Sequence, residues 1–173
     1  GSFIVVTEPL PQEVVDELLP NRRMASDTKN FIYYFRITPD NRLLFGGRAR
    51  FALSDPSQDR ESGEILKKAM HRIFPQVRQA RIDYMWGGLV DISMDQMVHA
   101  GERNGVFYST NYSGHGVQMA NYMGKVMADV VAGETHRNIW RDLKHPWIPG
   151  YFGKPWLHLR AGGAYYALQD RLS

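Results

Sequence analysis

The run Asn111-Tyr112-Ser113-Gly114-His115-Gly116-Val117 combines residue types and a spacing that could do chemistry. Two glycines flank one histidine just ahead of a helical pattern. Glycines there leave backbone N–H groups open at a helix start, where partial positive charge favours electron-rich ligand atoms. Ser113 is the candidate N-cap. Gly116, Ala120, Gly124, Ala128 and Ala132 then recur every four residues, so one helix face carries almost no side-chain bulk. Another backbone or a flat ligand can approach such a face closely. A tight turn into a helix accounts for Gly-His-Gly equally well, because short glycine motifs recur by chance. His115 taken alone is more often structural than catalytic. Tyr33, Tyr34, Tyr84 and Trp86 could border a pocket for a flat ring or an amine, or could fill the core, and composition does not choose. Gly87-Gly88 permits a bulge or the close approach of a ligand.

Other chemistries lack their parts. His71, His99, His115, His136, His145 and His158 stand singly along the chain, with no cysteine to help, so the sequence predicts no metal site. Ser113 lacks the strand-Gly-x-Ser-x-Gly-helix elbow of a serine nucleophile. Asp91 and Asp95 read as a solvated loop with an Asx turn. No general base stands out, so the catalytic residues are unassigned. Lys and Arg number 21 against 18 Asp and Glu, a net charge of +3 with the cations dispersed. Nucleic-acid binding needs them clustered and is not expected. The absence of cysteine excludes disulfides and thiolate chemistry in this stretch. No apolar run approaches the roughly 18 residues of a membrane span, and no leader pattern is present, which predicts a soluble, cytoplasmic protein.

The elements that must position these residues are legible from periodicity. Phe3-Ile4-Val5-Val6-Thr7 reads as a buried strand stopped by Pro9 and Pro11, and residues 12–19 as a short helix. Residues 31–37 and 42–47 form a hairpin around Pro39-Asp40-Asn41. From Ser57 to Phe74-Pro75 an amphipathic helix with Ile65, Leu66, Ala69, Met70 and Ile73 on one face covers the sheet. Residues 82–92 read as a long strand interrupted by Gly87-Gly88, and Val106-Phe107-Tyr108 as a short one. A tail rich in proline and aromatics, with Trp140, Trp147, Phe152 and Trp156, becomes helical over residues 161–172. The expectation is one compact α+β unit with a mixed or antiparallel sheet covered by helices. Its segments are 1–110 (sheet-rich), 111–135 (the glycine-led helix) and 136–173 (tail and last helix).

In this order the motifs resemble the D-amino-acid oxidase superfamily of FAD-dependent oxidoreductases, within it the γ-glutamylputrescine oxidase-like branch. The resemblance covers nearly the whole chain. It rests on Phe3-Ile4-Val5-Val6-Thr7-Glu8-Pro9-Leu10, on Asp40-Asn41-Arg42-Leu43-Leu44-Phe45-Gly46-Gly47, and on Phe74-Pro75 with Ile82-Asp83-Tyr84-Met85-Trp86-Gly87-Gly88. Tyr112-Ser113-Gly114-His115-Gly116-Val117 and Pro149-Gly150-Tyr151 complete it.

The resemblance implies the substrate-binding domain and returning helix of a two-domain flavoenzyme, whose Rossmann-type half holds the ADP of FAD. That half's Gly-x-Gly-x-x-Gly element does not occur here. By likeness, Gly87, Gly88, Ser113, Gly114, His115, Gly116 and Val117 meet the cofactor, and Tyr34 and Trp86 meet the substrate. Family members acting on α-amino acids commonly carry an arginine for the substrate carboxylate where Val90 stands here, which turns the expectation toward an amine, γ-glutamylated in one version. Val98 replaces a frequent family proline. The implied reaction is oxidative deamination of the amine to an aldehyde with reduction of flavin. The chain alone is expected to lack activity and not to retain FAD, its partners being the amine and the N-terminal FAD-binding half. The alternative is a non-catalytic binding or assembly module using the small-residue helix face, with homo-oligomers forming through an exposed interface.

Overall fold

The computed structural model describes residues 1–47, 56–146 and 156–172. Trp147, the Pro149-Gly150-Tyr151 motif, Phe152 and Pro155 lie outside them. The expected α+β class is what the structure has: an antiparallel, open sheet flanked by helices. Strands β1 (Ser2–Thr7), β2 (Ala25–Ser26), β3 (Tyr33–Ile37), β4 (Leu43–Gly47) and β5 (Ile82–Gly88) form one sheet in the order β2-β3-β4-β1-β5. Helices α1 (Gln12–Leu18) and α2 (Pro56–Ile73) belong to the same part of the chain. Asn41 takes a φ of 63° in the β3–β4 turn, a conformation asparagine tolerates.

The register decides which side chains share a face, because directly opposed residues of antiparallel strands project the same way. Phe35, Phe45, Val5 and Met85 form one transverse row. On this side the core closes around Phe3, Val5, Leu43 and Phe45, with Leu66, Ala69 and Met70 of α2 packed among them. Phe35 stacks on Phe45 at 5.9 Å and Phe74 meets Phe35 edge-on at 4.9 Å. Gly63 lets α2 pass over β5, since a Cβ there would stand 2.1 Å from Met85 Sδ.

A network of charges borders the sheet. Arg42 donates to Asp83 at 2.6 Å, to Asp40 at 2.7 Å and to the Thr7 carbonyl at 3.0 Å, with its guanidinium 5.3 Å from the Tyr84 ring centre. Arg81 donates to the other Asp83 oxygen at 2.7 Å. The hydrogen bonds from Arg81 and then Arg42 hold Asp83 below its ordinary value of 3.8. A carboxyl depressed on folding contributes stability that is fully present above the unfolded value and is lost as pH falls through the folded one. Asp83→Asn is therefore expected to destabilise the protein at neutral pH, the gap to wild type closing below about pH 4. Urea unfolding across that range measures it, and a gap independent of pH would contradict it.

Contacts divide the chain into Gly1–Leu89 with Phe152–Ser173, and Val90–Tyr151, where the sequence predicts a single unit. The first part includes helix α4 (Trp156–Leu172), whose Asp170 accepts the Asn30 and Phe31 backbone N–H groups at 2.9 and 2.8 Å. The second has its own core of Val98, Ala100, Met123 and Val126. It holds the hairpin β6 (His99–Arg103) and β7 (Val106–Thr110) and helix α3 (Gly116–Val131).

Two local expectations are corrected. β5 stops at Gly88 instead of running to residue 92, and the register passes Gly87-Gly88 without a bulge. The irregularity lies between Val6 and Thr7. Ser113 is not the N-cap of α3: it takes a φ of 50° within a left-handed turn, and His115 occupies the cap position with no side-chain cap bond.

Candidate functional site

The expected site residues fall on two surfaces, one in each part of the chain. In the sheet, Tyr34, Gly46, Ile4 and Trp86 are directly opposed in successive strands, so they form a transverse row on the face turned away from the α2 core. The glycine makes the row possible: the Tyr34 ring lies across Gly46, where a Cβ would be 2.3 Å from Tyr34 Cε2. Ser2 Oγ and Tyr34 OH are within hydrogen-bonding distance at 3.3 Å. Tyr84 follows Trp86 on the same face, opposite Val6, and the two aromatics are 56% and 48% exposed. About half of each large ring is left in water here, where a ligand could cover it. Gly88, opposite Ser2, has nothing within 4 Å of a built Cβ, whereas Gly87 opposes Phe3 on the face of the α2 core. The sequence grouped these glycines, but the pleat sends them to opposite faces.

In residues 90–151, Asn111, Ser113 and Gly114 all take positive φ (62°, 50° and 92°), which reverses the chain between β7 and α3. Asp91 accepts the Asn111 N–H at 2.6 Å and the Thr110 hydroxyl at 3.2 Å, holding the start of this turn. Helix α3 buries Met123, Val126 and Val130. Its small-residue stripe lies elsewhere, with Ala120, Gly124, Ala128 and Ala132 exposed. Gly114 has open space where a Cβ would stand, Val117 is 85% exposed, and Ser113 Oγ is buried without a hydrogen-bond partner among the described residues. An uncapped start of a 16-residue helix with an orphaned hydroxyl beside it suits electron-rich ligand atoms. A cleft of about 280 Å³ opens beside this turn, lined by Met97, Val98, Tyr112, His115, Met119 and Trp140.

The sequence leaves His99 and His145 as isolated histidines, yet their rings stack against each other next to Asp95. Linear spacing could not reveal that meeting, since His145 and Asp95 are 50 positions apart. Asp95 Oδ1 accepts the Met97 N–H at 3.1 Å, the expected Asx turn. Asp95 is held well below the usual carboxylate range, first by its hydrogen bond with His145. Among the described residues no helix is long and apolar enough to cross a membrane.

Residues 1–130 match the FAD-dependent oxidoreductase family, and this chain belongs to that family. It is 34% identical over 172 residues to the probable oxidoreductase OrdL of Haemophilus influenzae, covering 98% of this chain and 38% of that protein. Against gamma-glutamylputrescine oxidoreductase of Escherichia coli it is 30% identical over 174 residues, covering 99% of this chain and 40% of that one. Among solved structures, L-proline dehydrogenase from P. horikoshii superposes with a TM-score of 0.57 at 17% identity over 92% of this chain and 40% of its own, a likeness of fold. The chain thus spans about two fifths of the length of the curated relatives it matches.

Proposed function

We propose that this chain is the substrate-side part of an FAD-dependent amine oxidoreductase, which converts an amine, γ-glutamylated in the version closest to the E. coli relative, to an aldehyde. The likeness to gamma-glutamylputrescine oxidoreductase over 99% of the chain carries this reading, and the half-exposed rings of Tyr84 and Trp86 support it. Bound FAD would supply the chemistry, taking a hydride from the amine α-carbon and leaving an imine that water hydrolyses. The residues of the 90–151 part that would hold it are Ser113, Gly114, His115, Gly116 and Val117, through the Ser113 hydroxyl and the open N–H groups of the first turn of α3. Tyr34 and Trp86 would enclose the carbon chain of the amine and keep water from it. Val90 offers no charge to a substrate carboxylate, and an unpaired carboxylate is costly to desolvate, so amines lacking one are favoured. The exposed stripe of Ala120, Gly124 and Ala128 would pack against the FAD-binding half, which supplies the ADP contacts.

The chain alone, incubated with FAD and gel-filtered, is expected to emerge colourless. Joined to its FAD-binding half it is expected to oxidise γ-glutamylputrescine or a simple alkylamine with higher kcat/KM than any α-amino acid. An α-amino acid as the best substrate would overturn the assignment of Val90. A flavin band retained by the chain alone would overturn the dependence on the other half.

A further inference from the structure

Asp95, His99 and His145 offer one donor atom each within 4.8 Å of one another. Each of these side chains is about one-fifth exposed, at 20%, 23% and 21%. His145 Nδ1 lies 2.7 Å from one Asp95 oxygen and His99 Nε2 lies 3.6 Å from the other. The two imidazoles stack with centroids 3.4 Å apart and planes inclined by 24°. His99 Nε2 is shielded from solvent and has no hydrogen-bond partner among the described residues. Buried polar atoms are rarely left in that state without an unseen partner.

Two imidazoles and a carboxylate are the donors that a borderline divalent ion prefers, whereas Mg²⁺ and Ca²⁺ favour oxygen alone. Such an ion binds nitrogen and oxygen at about 2.0–2.2 Å, which sets neighbouring ligand atoms roughly 3.3 Å apart in a tetrahedral shell. Here each imidazole nitrogen meets a different oxygen of the one carboxylate, at 2.7 and 3.6 Å, so small side-chain shifts bring all three donors to that spacing. The ligands are also held from outside, as metal ligands generally are. Asp95 is oriented by the Met97 N–H, and the segment leading to His145 is fastened by Asn138 Nδ2, which donates at 3.1 Å to the carbonyl of Ala100, next to His99. The Trp140 backbone N–H donates to Asn138 Oδ1, and Trp140 packs on the core of Val98 and Ala100.

We propose that Asp95, His99 and His145 bind a divalent first-row transition ion of the Zn²⁺ type, with water completing the shell. The ion takes the place of the hydrogen between His145 and Asp95, which leaves to solvent as a proton. It acts as a clip fastening the segment around His145 to the start of β6, and it takes no part in the flavin chemistry.

The test is calorimetric titration of ZnCl₂ into tag-free protein stripped with EDTA, paired with thermal unfolding with and without the ion. One ion per chain is expected, with a rise in Tm. His145→Ala and His99→Ala are each expected to weaken binding by roughly tenfold to a hundredfold, the scale on which even outer partners of a metal site matter. His136→Ala, altering an exposed histidine outside the cluster, is expected to leave binding unchanged. Circular dichroism confirms that each variant is folded. Should His99→Ala unfold, His145→Ala and the absence of its Zn²⁺-dependent Tm rise decide the matter. No saturable binding by the wild type, or wild-type affinity in folded His145→Ala, would overturn the proposal.

Discussion

Phe45→Ala is expected to remove about 3–5 kcal/mol of stability, the cost of truncating a buried phenylalanine in a core that relaxes only partly. Phe45 has no exposed surface. It lies in β4, paired to β1 on one side and β3 on the other, so the cavity would open in the middle of the sheet. Its ring stacks on Phe35, meets Tyr33 at 5.3 Å and faces Phe74 edge-on at 6.4 Å, and all three lose a partner at once. Leu66 and Met70 of α2 close the same core, and collapse onto the void would require the helix to shift. Chemical unfolding followed by circular dichroism reads the loss directly. A cost below about 1 kcal/mol would mean that the aromatic cluster repacks far more freely than a close-packed interior should.

Gly46→Ala is expected to cost about 1–3 kcal/mol, the usual scale of overpacking. The added methyl would sit 2.3 to 2.6 Å from Tyr34 Cε2, Cζ and Oη, too close for any of them to stay. The backbone of β4 cannot retreat, because Gly46 is paired to Ile4 and to Tyr34 in one continuous sheet. The ring must therefore swing away, which also ends its contact with Ser2. In a Tyr34→Ala background the same substitution should cost much less, and the two changes should be strongly non-additive. Equal costs in both backgrounds would show that the ring is not the obstacle. If Tyr34 forms the wall for an amine, Gly46→Ala should raise KM in the assembled enzyme more than it lowers kcat.

Much of this architecture could be read from residue order. The β-branched opening, the hairpin about Asn41 and the two long helices α2 and α3 each carry a periodicity or turn signal strong enough to stand alone. β6 was hidden because His99-Ala100-Gly101-Glu102-Arg103 has neither β-branched residues nor a clean alternation. Its signal lay one step further on, in Asn104-Gly105, whose φ values of 55° and 81° suit a tight hairpin turn between β6 and β7. Ser113 misled for a related reason: serine is a common cap, but here the chain spends it on a left-handed turn and starts the helix three residues later. The row from Tyr34 to Trp86 is legible only when strand order and register are known, since neither is set by local sequence. The meeting of His99 and His145 depends on a segment held by one asparagine and one tryptophan, which periodicity does not register.

The arrangement of the chain in two parts also bears on how it is made. Asp170 fastens the backbone at Asn30 and Phe31, so these bonds form only after α4 has emerged from the ribosome. Every residue of 90–151 is synthesised before that helix. Vectorial synthesis lets a finished unit fold as it appears, and residues 90–151 can thus be complete while the flanking part still waits for the Asp170 bonds.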